Sequence, residues 1–87
     1  TMIILYLPKF ARQYKKLPTE IQDTAEKKEK VFRKNPFDPR LKTHKLTGPL
    51  DGFYAFSINH KYRIIFDLAD QGTARFYSVG DHNIYDK

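Results

Sequence analysis

Apolar positions change their spacing along the chain, and each change marks an element. "MIILYL", residues 2–7, is a continuous run of branched, aliphatic and aromatic side chains, which predicts a buried strand. Pro8 suits the first turn of a helix, where its missing N–H has no helical partner to lose. In "PKFARQYKKL", Phe10, Tyr14 and Leu17 recur at helical spacing with Ala11 beside them, which predicts a short amphipathic helix. Pro18 opens a second helix running to about Lys34, with Ile21, Ala25, Val31 and Phe32 as an imperfect apolar stripe. Asp23/Lys27, Glu26/Lys30 and Glu29/Arg33 are acid-before-base pairs four apart, each adding about 0.3 kcal/mol on a solvated face. Asn35-Pro36 ends this helix, because the residue before proline avoids helical angles.

Residues 35–52, "NPFDPRLKTHKLTGPLDG", are dense in turn formers and read as a structured loop. "FYAFSI" and "YRIIFDL" then flank Asn59-His60-Lys61, which predicts a β-hairpin. "ADQG" turns the chain into a third strand, "TARFYSV". Alternation puts Tyr62, Ile64 and Phe66 on the core face of the middle strand and Arg63, Ile65 and Asp67 on the other. The order is a strand, a two-helix hairpin and a three-stranded antiparallel meander. Helices grouped this way pack on one face of a single sheet, an α+β arrangement. Residues 1–87 are expected to form a single domain.

Composition narrows the class. Of 87 residues, 40% are hydrophobic and 30% charged, a globular balance. A chain this short buries only ~60–65% of the surface its unfolded form exposes, so the core is modest. There is no cysteine, which excludes a disulfide framework and thiolate metal sites and fits a reducing compartment. The apolar start is far shorter than the ~20 residues that span a bilayer and lacks a signal peptide's basic leader and cleavage site. A cytoplasmic location is expected, with no membrane partner.

The net charge of +6 is unevenly spread. Up to Lys45 there are twelve Lys/Arg against five Asp/Glu; beyond it there are four against five. The basicity therefore sits on the helices and the loop after them, the footprint of a polyanion-binding surface or of a solubilising one.

There is no Gly-rich phosphate loop, no histidine pair at zinc spacing and no nucleophile elbow. The chemistry-bearing candidates are scattered. Arg63 has a fork of donors that suits a phosphate; its alternative is a surface arginine paired with a carboxylate such as Asp67. His44 lies in the basic stretch of Arg40, Lys42 and Lys45, either as a proton-transfer group or as polar loop surface. His82, in the tail "SVGDHNIYDK", is a second imidazole able to exchange a proton near neutral pH or an exposed terminal side chain. Tyr85 either stacks on a nucleobase or packs, with Ile84 as its anchor. His60 occupies the hairpin turn and is assigned no role.

The pattern "KTHKLTGPLDGFYAFSINHKYRIIFDL…ARFYSVGDHNIY" resembles the RelE/ParE superfamily of toxin–antitoxin toxins, most closely its RelE/StbE and YafQ-like branch. The resemblance implies a curved sheet against a helical hairpin. It implies a metal-independent endoribonuclease, without cofactor, that cleaves mRNA in the ribosomal A site and is blocked by a cognate antitoxin. Residue by residue, it makes Arg63 the strand arginine on the scissile phosphate, His44 the loop histidine, His82 the C-terminal histidine and Tyr85 the functional terminal aromatic. Arg40, Lys42 and Lys45 would hold RNA backbone. The chain departs from RelE at Tyr54 and Phe56, which align with two lysines, and from YafQ-like toxins at Ser57, which aligns with a further histidine.

The implied chemistry uses the substrate's 2′-OH as nucleophile, one histidine as base, the other as acid and Arg63 as clamp; which histidine has which role stays open. Two other readings are a ParE-like inhibitor that poisons DNA gyrase by binding it, and a basic RNA-binding relative that no longer cuts.

Overall fold

The structure, a computed structural model, describes residues 2–81. Strand β1 (Ile3–Tyr6) leads into helix α1 (Pro8–Lys15) and helix α2 (Thr19–Lys34). Strands β2 (His44–Lys45), β3 (Tyr54–Ser57), β4 (Arg63–Asp70) and β5 (Thr73–Gly80) follow. They form one five-stranded sheet in the order β1-β5-β4-β3-β2. The meander β3-β4-β5 is antiparallel, as the turn signals predict, and β1 joins it parallel to β5. The α+β architecture with a helical hairpin is thus the one expected.

The core lies between the helices and one sheet face. Phe32 of α2 is fully buried and meets the rings of Phe56, Phe66 and Phe76 at 5.1, 4.8 and 5.1 Å. These distances are those of favourable stacked and edge-to-face pairs. Ile64 and Val79 complete that face, with Ile21, Val31 and Leu17 packed at its margin. Of the three acid–base pairs on α2, Glu29/Arg33 closes, at 3.6 Å. Glu26 instead accepts a hydrogen bond from the Tyr14 hydroxyl, which ties α2 to α1.

The stretch 35–52 is more ordered than a loop. Asp38 caps a 3-10 turn at Pro39–Leu41, whose Leu41 is fully buried. His44–Lys45 then adds an edge strand to β3. A second 3-10 turn at Gly48–Leu50 folds the chain over the helix-free face, where Leu46, Ala55 and Ile65 form a small separate core with Leu50 and Phe53. Two residues of β2 are too few to show alternation, and the turn residues around them hide the pairing.

Candidate functional site

Strand register decides which side chains share the helix-free face. His44 lies opposite Ala55, Ala55 opposite Ile65, and Ser57 opposite Arg63. Directly paired residues point the same way and alternate residues return to the same face. His44, Ala55, Ser57, Arg63 and Ile65 therefore share it. Two strand spacings and two residues of rise separate His44 from Arg63, roughly 12 Å between backbones. Lys45 pairs with Tyr54, whose ring stacks on Phe66 in the helix-side core, so Lys45 is set toward the other face.

Arg63 is half-buried at the start of β4, beside the hairpin turn rather than mid-strand. The turn holds it. The Asn59 side chain accepts from the N–H groups of Lys61 and Tyr62, at 2.9 and 2.8 Å, a local bond that fixes the reversal. The Asn59 carbonyl then accepts from the Arg63 guanidinium at 2.6 Å. The alternative partner, Asp67, is taken by Arg75 through two bonds of 2.9 and 2.6 Å. Among the described residues Arg63 forms no ion pair.

Arg63 lines a cleft of about 230 Å³ with Lys28, Arg40, Lys42, Ser57 and His60. Four cationic side chains around one cleft make a site for an anion. They are not equivalent. Asp38 grips the Arg40 guanidinium with two bonds of 3.0 Å. That fork and its local backbone bond hold the Asp38 carboxyl down to about 2, so the charge of Arg40 is balanced. Lys28 donates to the Arg40 carbonyl at 3.3 Å. Lys42 has a left-handed backbone, φ 54°, which costs a non-glycine residue roughly 1–2 kcal/mol. Such strain gathers where a side chain must be aimed.

The loop orients His44 as well. Its Nδ1 lies 3.3 Å from the Lys42 carbonyl oxygen. A carbonyl only accepts, so this bond puts a proton on Nδ1 and points Nε2 away from the loop; in the neutral ring Nε2 then carries the lone pair a general base uses.

Arg40, Lys42 and Arg63 are therefore brought to one cleft, His44 to the same sheet face, and Lys45 to the opposite one. His82 and Tyr85 lie outside the described residues. Lys28 and Asn59 join the site without a functional signal in the sequence, apart from Asn59 being a turn former inside a tight hairpin; Ser57, the departure from the YafQ-like pattern, and His60, assigned no role, line it as well. Tyr54 and Phe56 point into the helix-side core, Phe56 with no exposed surface. The β3 positions that face the site are Ala55 and Ser57.

No protein-family model matches the chain, and no curated protein matches it. Solved structures do. The chain superposes on YafQ from E. coli strain BL21(DE3) with a TM-score of 0.81 over 100% of both chains, at 16% identity. It is similar to a chain of the toxin–antitoxin complex RelBE2 from Mycobacterium tuberculosis, with a TM-score of 0.78 over 93% of this chain and 98% of that one, at 18% identity. For the YoeB–YefM complex from Staphylococcus aureus the TM-score is 0.76 over 94% and 98%, at 22% identity. The likeness is one of fold, and the fold is that of the RelE, YoeB and YafQ-type toxins.

Proposed function

We propose, from this toxin fold and the cationic cleft between its hairpin turn, the loop after α2 and α2 itself, that the chain is the toxin of a toxin–antitoxin pair and a ribosome-dependent mRNA endoribonuclease. The observation that carries the proposal is the cleft: Arg63, Lys42, Lys28 and Arg40 converge on one anion-sized space, and His44 lies on the same sheet face as Arg63.

In the proposed reaction a histidine removes the proton of the ribose 2′-OH as that oxygen attacks the adjacent phosphorus. The P–O5′ bond breaks, and a second acid gives its proton to the departing O5′. The products are a 2′,3′-cyclic phosphate and a free 5′-OH. Arg63 and Lys42 steady the charge that grows on the non-bridging oxygens. A fixed donor of this kind contributes ~10²–10³-fold, and each effective acid or base ~10²–10⁴-fold. His44 serves as base and His82 as acid, and Tyr85 stacks on or orients a base of the message. Support for His82 is the register of its neighbour: Gly80 pairs with Arg63, and His82 follows two residues later in the sequence. A cognate antitoxin would bind the chain and block this surface.

The test is expression with and without the product of the neighbouring gene, followed by mapping of mRNA 5′ ends and of plasmid topology. Cuts confined to translated mRNA and relieved by the neighbour are expected. Gyrase-linked DNA breaks, or arrest with neither signature, would overturn the proposal.

A further inference from the structure

Beyond the cleft, a second hollow of about 450 Å³ runs over β4 and β5 against the start of α1, lined by Leu50, Phe53, Ile65, Tyr77 and Ser78 from the sheet side and by Leu7, Pro8 and Lys9 from the chain leading into α1. Its two rings are fixed. Phe53 and Tyr77 meet edge to face at 4.7 Å, and the Tyr77 hydroxyl donates to Asp67 at 3.3 Å, whose charge Arg75 balances. None of the described residues lining the hollow is acidic.

The hollow lies between two cationic patches. Ile65 is two residues from Arg63 on the same face, roughly 7 Å along β4, about one nucleotide step. On the other side, Lys9 belongs both to the hollow and to a groove lined by Arg12, Lys15 and Lys16. α1 is held there by the Gln13 side chain, which accepts from the Val79 N–H at 2.9 Å. Cation, apolar ring pair, cation is the order in which a single-stranded polynucleotide presents phosphate, base, phosphate. An apolar peptide would leave both cationic flanks unmatched.

We infer that the Leu50–Phe53–Tyr77 hollow is a nucleobase subsite, seating one unpaired base of the RNA next to the phosphate held at Arg63. The inference rests on the RNA-cleaving reading. It adds that affinity at this position comes from a base, with the Lys9 groove holding the backbone beyond it.

The probe is a 2′-O-methyl RNA hexanucleotide, which binds without being cut, compared with the same backbone made abasic at one position at a time. Anisotropy titration of the native protein should show one position where base removal weakens binding about tenfold, the scale of a base–aromatic stack. Tyr77→Leu should weaken the intact oligonucleotide about tenfold and the singly abasic one hardly at all. Because Tyr77→Leu also loses the bond to Asp67, a measurement on the unaltered protein stands beside it: nuclear Overhauser contacts between base protons and the Phe53 and Tyr77 rings. Absence of those contacts overturns the inference, as does equal weakening of intact and abasic oligonucleotides. So does a native protein that does not distinguish the two. Cleavage on ribosomes is read separately: a chain that cuts without a base subsite refutes only the subsite, and one that seats a base without cutting refutes only the nuclease.

Discussion

Arg63 and Gly80 lie directly opposite one another, the first residue of β4 against the last of β5. Glycine brings no side chain to that pair, and the Asn59 carbonyl accepts from the guanidinium on the turn side. Asp81 leaves the sheet at the same point. The arginine and the chain's exit into its tail are therefore placed together by strand register, which sequence separation alone conceals.

Arg63→Gln should lower mRNA cleavage by ~10²–10³-fold, the scale of a removed charge-stabilising donor. The two carbonyl bonds that Arg63 makes within the turn are worth only about 1 kcal/mol each, so the variant should stay folded. Arg63→Lys should recover part of the rate, since it keeps the charge and loses the fork. Primer extension on translating ribosomes checks the rates and a urea melt checks the fold. Undiminished cutting by Arg63→Gln would remove the clamp from the mechanism.

His44→Gln and His82→Ala should each reduce cleavage by ~10²–10⁴-fold. His44 is exposed on a two-residue edge strand, so its replacement should leave the melting temperature nearly unchanged. The pH–rate profile separates the roles. A base must be unprotonated, so its loss removes the limb that rises with pH; loss of the acid removes the limb that falls. His44→Gln should abolish the rising limb. If it abolishes the falling limb instead, the assignments exchange.

Lys42→Gly should move stability and function in opposite directions. Glycine adopts φ 54° without the clash a lysine suffers, so the fold should gain about 1 kcal/mol, less the entropy that glycine adds to the unfolded chain. The same change removes a cation from the cleft and should weaken RNA binding and its salt dependence. Urea midpoints and an anisotropy titration over a range of salt concentrations test the two halves. A Lys42→Gly protein that is less stable, or that binds as well as before, would contradict the reading of Lys42 as an aimed residue.

Phe56→Lys should unfold the protein rather than restore a missing site lysine. Phe56 is fully buried against Phe32. Losing a core phenylalanine costs about 3–5 kcal/mol before the penalty for a buried ammonium is added. A domain of this length has only about 4–13 kcal/mol in total. Far-ultraviolet circular dichroism of the variant decides it; a native spectrum and a cooperative melt would put position 56 at the surface.

The elements of the fold were legible where spacing was long and regular. α1, α2 and the β3-β4-β5 meander each carry a repeated apolar period, and the Arg63 face followed from alternation alone. β2 was not legible, because two residues carry no period. The pairing of Asp67 with Arg75, not Arg63, depends on cross-strand register, which the sequence does not number. Lys28 reaches the cleft from a different element, a convergence that only tertiary packing creates.

Alkaline pH should destabilise the protein through two tyrosines on the far side of the sheet. The Tyr6 hydroxyl donates to Glu29 at 2.6 Å, and burial of the ring, then the Glu29 bond and charge, push its pKa up to about 12. Tyr14 is pushed up to about 12 by burial first and by Glu26 next. In the unfolded chain both titrate near ~10. Between these values the folded protein holds protons that the unfolded chain has released, so stability present below about pH 10 is lost as pH rises toward about 12. Lysines lose charge in the same range, which makes the comparison with variants the informative one. Urea midpoints of the Tyr6→Phe/Tyr14→Phe protein should fall less steeply over this window than those of the native chain. Equal slopes would show that the two phenols keep no proton advantage in the fold.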